Sequence, residues 1–432
     1  MKKIFASLSM LLMMYCSMAQ SVNKIITAKQ VKKIEKTLSA DNMQGRKTFT
    51  PGIEKASAFI EKQFRNAGLQ TFNGAANFRQ DFFMVESATS SSRVTVNGIT
   101  IADSLVVAFS YQPDVSLTEK DDVEIVKISA GEKFGQRFNQ YYQSKKNLLV
   151  LVDTAFRSRL QAVRRIDKVS AEPGQNSMIV VVGPTDAKTF TINLTNTITK
   201  KALNNVVGVL PGKSKPEEFV IFSGHYDHLG VGSPGESTGS TDSIYNGAND
   251  DAAGTTAVIM LAKYYKKLNN NERTLVFVTF CAEELGGFGS QYFSKQLAPE
   301  KVMAMFNIEM IGTESKWGTN SAYITGFDKT NMGEILQKNL KGSAFTFYPD
   351  PYPEQQLFYR SDNATLAQLG VPAHTISTSK MDNEANYHKQ SDEISTLNLD
   401  NMTEIIRSIA ISAASIVSGG DTPSRVNKDQ LK

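Results

Sequence analysis

Apolar positions recur along the chain in two rhythms, and the change of rhythm divides it. Thr27-Ala28-Lys29-Gln30 has capping-box spacing and predicts a helix running to about Leu38. Ile53, Ala56, Phe59, Ile60 and Phe64 fall on one face at spacings of three and four, which predicts a second helix. From about Phe82 to Leu203 the pattern shortens to β-rich runs between polar turns: Val94–Val96, Val123–Val126, Leu148–Val152, Met178–Val182 and Phe190–Leu194. One helical stretch, near Ser158–Ile166, interrupts them. Residues 82–203 therefore read as an inserted β-rich subdomain, because helix and α/β patterning lies on either side. Pattern alone leaves a continuation of one large sheet open.

After Val206 strands and helices alternate. Glu218–Ser223, Thr274–Phe280 and Met303–Met310 are near-continuous apolar runs, the pattern of strands covered on both faces by helices. Between the first two, Ala257, Val258, Leu261, Tyr264 and Leu268 form a helical stripe, and Asn401–Val417 repeats it with Met402, Ile405, Ile406, Ile409, Ala413 and Ile416. This alternation predicts a three-layer α/β domain, residues 20–81 and 204–418, with a polar tail over 419–432.

Composition sharpens this picture in three places. Hydrophobic residues at 41% and charged residues at 21% give a chain able to bury a core, which excludes disordered, collagen-like and coiled-coil classes. Lys+Arg 47 against Asp+Glu 43 leaves no basic excess of the kind that nucleic acid requires. Met1-Lys2-Lys3, an apolar run from Ile4 to Met14, and small residues at Ser17 and Ala19 predict a signal peptide over 1–19 and an exported protein, periplasmic or extracellular. No later segment offers 18 uninterrupted apolar residues, so no integral membrane span is expected. Once Cys16 leaves with the leader, Cys281 is alone and no intramolecular disulfide is possible.

Ligands of open α/β sheets bind beyond the carboxyl ends of the strands. Here the residues that follow the strands are chemically loaded. Gly224-His225-Tyr226-Asp227-His228 follows the first run and Cys281-Ala282-Glu283-Glu284 the second, and the third ends on Asn307-Ile308-Glu309. Asp250-Asp251 opens the Ala253 helix, and His388 lies in the polar loop 387–392. Imidazole and carboxylate are the donor types of catalytic zinc sites.

The stretches GHYDHLG (224–230), IYNGANDDAAG (244–254), FCAEELGGFGS (280–290), NIEMIG (307–312) and YHKQSDE (387–393), with DNMQGR (41–46) and NVVGVLPGK (205–213), together resemble the secreted di-zinc aminopeptidases. The wider family includes glutaminyl cyclases, glutamate carboxypeptidase-like enzymes and the transferrin receptor. The resemblance implies a mixed central sheet and two Zn2+ ions. It implies His225 and Glu309 as ligands of one ion, Glu284 and His388 as ligands of the other, and Asp250 as the bridge. Glu309 stands where the family usually has Asp, a departure of one methylene. Asp227 resembles the carboxylate that orients His225, Asp251 the residue that shapes its turn, and Glu283 the general base that takes a proton from metal-bound water. Tyr387 is the candidate for an oxyanion hydrogen bond.

Other readings attach to the remaining residues. His228 reads as a pocket or structural residue, His374 as a core histidine, and Cys281 as packing. Asp392 reads equally as a partner of His388 or as a loop cap. The expected function is an exopeptidase, an aminopeptidase acting on peptides. The alternatives are a glutaminyl cyclase-like enzyme or a non-catalytic binding protein on the same scaffold. The β-rich insertion resembles a protease-associated domain.

Overall fold

A computed structural model describes residues 22–233, 237–239 and 241–431. The predicted leader, 1–19, lies outside the described residues. The described residues form two compact units, one drawn from 22–82 and 203–431 and the other made of 83–202.

The larger unit is built on a mixed sheet. Its strands in chain order are β1 (Phe190–Leu210, of which 203–210 lie in this unit), β2 (Lys215–His225), β3 (Arg273–Phe280), β4 (Val302–Ile308), β5 (Ser321–Ile324), β6 (Thr346–Pro349) and β7 (Ala373–Ser377). Spatially they run β6-β5-β7-β4-β2-β3-β1. The pairs β7/β4, β4/β2 and β2/β3 are parallel, whereas β5/β7 and β3/β1 are antiparallel. Helices α1 (Ala28–Leu38), α2 (Pro51–Ala67), α3 (Ala253–Leu268) and α4 (Leu399–Ser412) are the long ones.

Local chemistry explains these elements. Thr27 caps α1 by accepting from the Gln30 N–H, and α2 starts on Pro51 and stops on Gly68 in the left-handed region. Every residue of β3 is buried, as a strand covered on both faces must be. In the register of the sheet Phe222 lies beside Phe277 and Phe306, with ring centroids 5.6 and 5.0 Å away, and Tyr265 of α3 stacks on it at 5.3 Å. On the opposite face Ile221, Val276, Val278 and Met305 join Phe293, Leu366 and Val371.

Three elements differ from the sequence reading. The final helix breaks at Ala413, with Ala414–Val417 a separate turn. The tail is partly built in, because Val426 is buried in the core and Arg425 donates to the Val302 carbonyl at 2.7 Å. In the second unit a further helix, Phe134–Tyr142, accompanies Leu160–Arg164. Its Phe134, Phe138 and Tyr142 stack at helical spacing, a stripe that aromatic β-propensity disguises in a β-rich context.

The second unit has its own core. Val106–Ser110, Ser177–Val182, Leu148–Val152 and Glu124–Ile128 form a four-stranded sheet in that order. One face packs Leu149, Leu151 and Ile179 against Val94, Ile192 and Leu194. The other packs Leu148, Val150 and Val180 against Phe138, Leu160 and Val163.

Candidate metal centre

The carboxyl ends of β2, β3 and β4 lie side by side, and the loops leaving them converge. His225 is paired with Phe280 in register, and Glu309 follows the last residue of β4. Asp250 and Asp251 lie at the entry to α3, joined by a cis peptide bond. The entry is tight: a Cβ on Gly254 would sit 2.0 Å from the Ile308 carbonyl oxygen, so only glycine lets α3 start against β4.

Asp250 holds the centre. Its Oδ1 is 3.1 Å from His225 Nε2, and its Oδ2 is 3.2 Å from His388 Nε2. His388 Nε2 is also 3.2 Å from Glu284 Oε2. Donor atoms of His225, Asp250 and Glu309 lie within 4.8 Å of one another, as do those of His228, Asp250 and Glu284. Glu283 Oε2 stands 4.0 Å from His225 Nε2, beside the first set and outside both. Tyr387 stacks on His388 with centroids 4.0 Å apart and lines a small cavity of about 40 Å³ with Glu309, Met310, Tyr323 and Arg360. A larger cleft of about 580 Å³ begins at Glu283 and Glu284 and passes Ser290, Arg360 and Gln368.

The donor set fits metal ions. His225 Nε2, Asp250 Oδ2 and Glu309 Oε2 are buried without a hydrogen-bond partner, although the first two have neighbours near 3 Å. Atoms that converge closely yet do not face one another are arranged toward a common point. Charge gives the same answer. Burial pushes the Asp227 and Glu309 carboxyls up to about 7 and raises Glu283 well above the ordinary carboxylate range. Against burial, hydrogen bonding with His228 and His388 holds Glu284 at about 2. Such a concentration of buried acid calls for cations.

The supporting residues explain how loops hold this geometry. Asp251 is buried; its Oδ2 accepts from the His225 N–H at 3.1 Å, and its Oδ1 accepts from the Gly254 and Met310 N–H groups at 2.9 and 3.1 Å. Asp227 differs from its expected part. Its backbone oxygen is 3.1 Å from His225 Nδ1 whereas its carboxylate is 3.8 Å away. That carboxylate instead accepts from the Glu283 and Glu284 N–H groups, fixing the turn that carries both acids. Asp392 accepts from the Asn249 and Asp250 N–H groups at 2.8 and 3.0 Å, which joins the His388 loop to the Asp250 loop. Arg46 is buried and donates to the carbonyls of Leu38, Tyr226, Asn246 and Gly247.

His374 lies elsewhere, in β7, with Nδ1 at 2.8 Å from the Thr325 carbonyl and Nε2 at 2.8 Å from the Thr330 hydroxyl. Cys281 is buried in the strand-end packing. His228, Asp392 and Arg46 are the residues that the sequence reading undervalued. The spacing of His228, three residues after His225, was the one available signal.

A sheet whose strand ends gather two donor sets around one shared carboxylate defines a metal-binding α/β protein. Residues 205–412 match the family model described as Peptidase family M28. Aminopeptidase YwaD of Bacillus subtilis is 23% identical over 243 residues, which cover 53% of this chain and 48% of that protein. A probable zinc metalloprotease of Leptosphaeria maculans is 30% identical over 115 residues, 26% of this chain and 25% of that one. The chain thus spans half or less of the length of these two relatives. Among solved structures, an aminopeptidase from Aneurinibacillus sp. strain AM-1 aligns with a TM-score of 0.56 at 18% identity, covering 95% of this chain and 98% of that one. A zinc aminopeptidase from Bacillus subtilis aligns at 0.54 and 15%, covering 94% and 99%. These two share the fold.

Proposed function

We propose that the chain is a zinc-dependent exopeptidase, an aminopeptidase that removes N-terminal residues from peptides. The observation that carries the reading is the position of Asp250, whose two oxygens each lie near 3 Å from a different imidazole, with Glu283 beside the pair and free of both donor sets. His225, Asp250 and Glu309 would hold one ion, and Asp250, Glu284 and His388 the other. Two zinc ions so held supply a nucleophile at neutral pH and polarise a carbonyl. Every other part of the chemistry belongs to side chains.

Glu283 is the general base. Burial raises its proton affinity, so it takes a proton at Oε2 and returns it to the leaving amine. Tyr387 faces the same cavity as Glu309 and is the hydrogen-bond donor for the carbonyl oxygen that gains charge. The small cavity receives the N-terminal side chain, and the larger cleft beyond Glu283 receives the rest of the peptide. The likeness to aminopeptidase YwaD supports this assignment. The signal-peptide pattern read in the sequence of 1–19 supports export.

The test is zinc content together with hydrolysis of a panel of amino-acyl and peptide substrates, for the wild type and Glu283→Gln. Two zinc ions per chain in both proteins, with kcat lowered roughly 10²- to 10⁴-fold in the variant, is the expected result. Full activity in Glu283→Gln would remove the proposed base, and a metal-free, inactive wild type would remove the enzyme reading.

A further inference from the structure

The two donor sets are unequal. His225, Asp250 and Glu309 present one imidazole and two carboxylates. The other set presents Asp250, Glu284 and two imidazoles, because His228 reaches it as well as His388.

The spacing bears on what His228 does. Zinc with nitrogen and oxygen donors at about 2.0–2.2 Å in a tetrahedron keeps neighbouring donors roughly 3.3–3.6 Å apart. His225 with Asp250, and His388 with Asp250 and Glu284, lie at 3.1–3.2 Å. His228 Nδ1 is 2.7 Å from Glu284 Oε1 and 3.9 Å from Asp250 Oδ2, values on either side of that spacing. Its ring is buried, and Nε2 has no hydrogen-bond partner. That separates His228 from His374, the core histidine, which engages both nitrogens. The chain also aims it. His228 follows His225 by three residues, and its N–H is held by the Arg46 carbonyl at 3.3 Å.

We propose that His228 is a direct ligand, through Nδ1, of the metal ion shared by Asp250, Glu284 and His388. This inference rests on the di-zinc reading above. That position then has four protein donors and the His225 position three. Four protein donors close a tetrahedral zinc site, whereas three leave a coordination position open. The His228 site is therefore the retaining one, and the His225 site gives up its metal first.

Cobalt(II) substitution separates ligation from a mere hydrogen bond to Glu284. An imidazole bound through one nitrogen carries an exchangeable N–H on the other, and the paramagnetic ion shifts its proton resonance far from the normal range. Three such resonances are expected in the di-cobalt wild type and two in His228→Ala, whose fold is checked by circular dichroism. His228→Gln serves if the alanine variant does not fold. Chelator titration of the zinc form should show two separated steps in the wild type. In the variant the tighter step should weaken by more than the roughly 10- to 100-fold that follows loss of a partner to a ligand. Two shifted resonances in the wild type, or an unchanged number in the variant, would overturn the assignment while leaving the di-zinc reading intact. A wild type that binds no more than one metal ion would overturn that reading instead.

Discussion

Neighbouring side chains in this molecule do unlike things because their surroundings differ. Asp250 points both oxygens at imidazoles, while Asp251, the next residue, spends its oxygens on three backbone N–H groups. Glu284 belongs to a donor set and Glu283 does not. His374 makes the same point away from the site. Burial lowers its value to about 4, so the folded protein keeps it neutral while the unfolded chain binds a proton from about pH 6.5 downward. Its contribution is fully present above pH 6.5 and is lost as pH falls through 4, at most about 3 kcal/mol. Urea denaturation at a series of pH values should therefore show a weaker dependence between pH 6.5 and 4 in His374→Gln than in the wild type, and parallel curves would contradict this account. At this scale the sequence was readable where an acid or imidazole directly follows an apolar strand run, as His225, Glu283, Glu284 and Glu309 do. Arg46 and Asp392 act through backbone carbonyl and N–H groups of distant loops, contacts that leave no spacing to detect.

Elements matter here mainly as rulers. The β2, β3 and β4 ends are in register because Phe222, Phe277 and Phe306 stack across three adjacent strands under Tyr265. Phe222→Ala removes the middle ring and should destabilise the protein by about 3–5 kcal/mol, the usual result for a buried phenylalanine. The midpoint of denaturant unfolding measures it; a change under about 1 kcal/mol would mean that the neighbouring rings close the gap. Long apolar runs made β3 and Leu148–Val152 legible, since both are buried on each face. The helix Phe134–Tyr142 was not, because its aromatic stripe suits strand and helix alike. Short strands such as β5 and β6 carry too few residues for a period to emerge.

The whole molecule comprises two units, each with a core of its own, so its unfolding need not be one transition. Among the described residues, only the larger unit holds the donor sets. Calorimetry with and without zinc should therefore show one metal-sensitive transition and one indifferent to metal. With free zinc 100-fold above its dissociation constant, a site contributes about 2.7 kcal/mol, or roughly 4 °C for a unit of this size. A single transition that shifts with metal would show that the units unfold together. Between them the strand runs and the motifs after them disclosed the α/β layering and most of the donors, whereas the second unit's two-sided core became visible only in three dimensions.

The knot made by Asp251 has a consequence in time. It ties the N–H groups of His225, Gly254 and Met310 to one carboxylate, and the donors around it come from as far apart in the chain as His225 and His388. A partly synthesised or unfolded chain has no two of these loops in place. Metal capture at the proposed site would then be a late event, following closure of β2, β3 and β4 rather than guiding it. For a chain that binds the two ions proposed above, the moment of metal uptake would mark the moment at which it has finished folding.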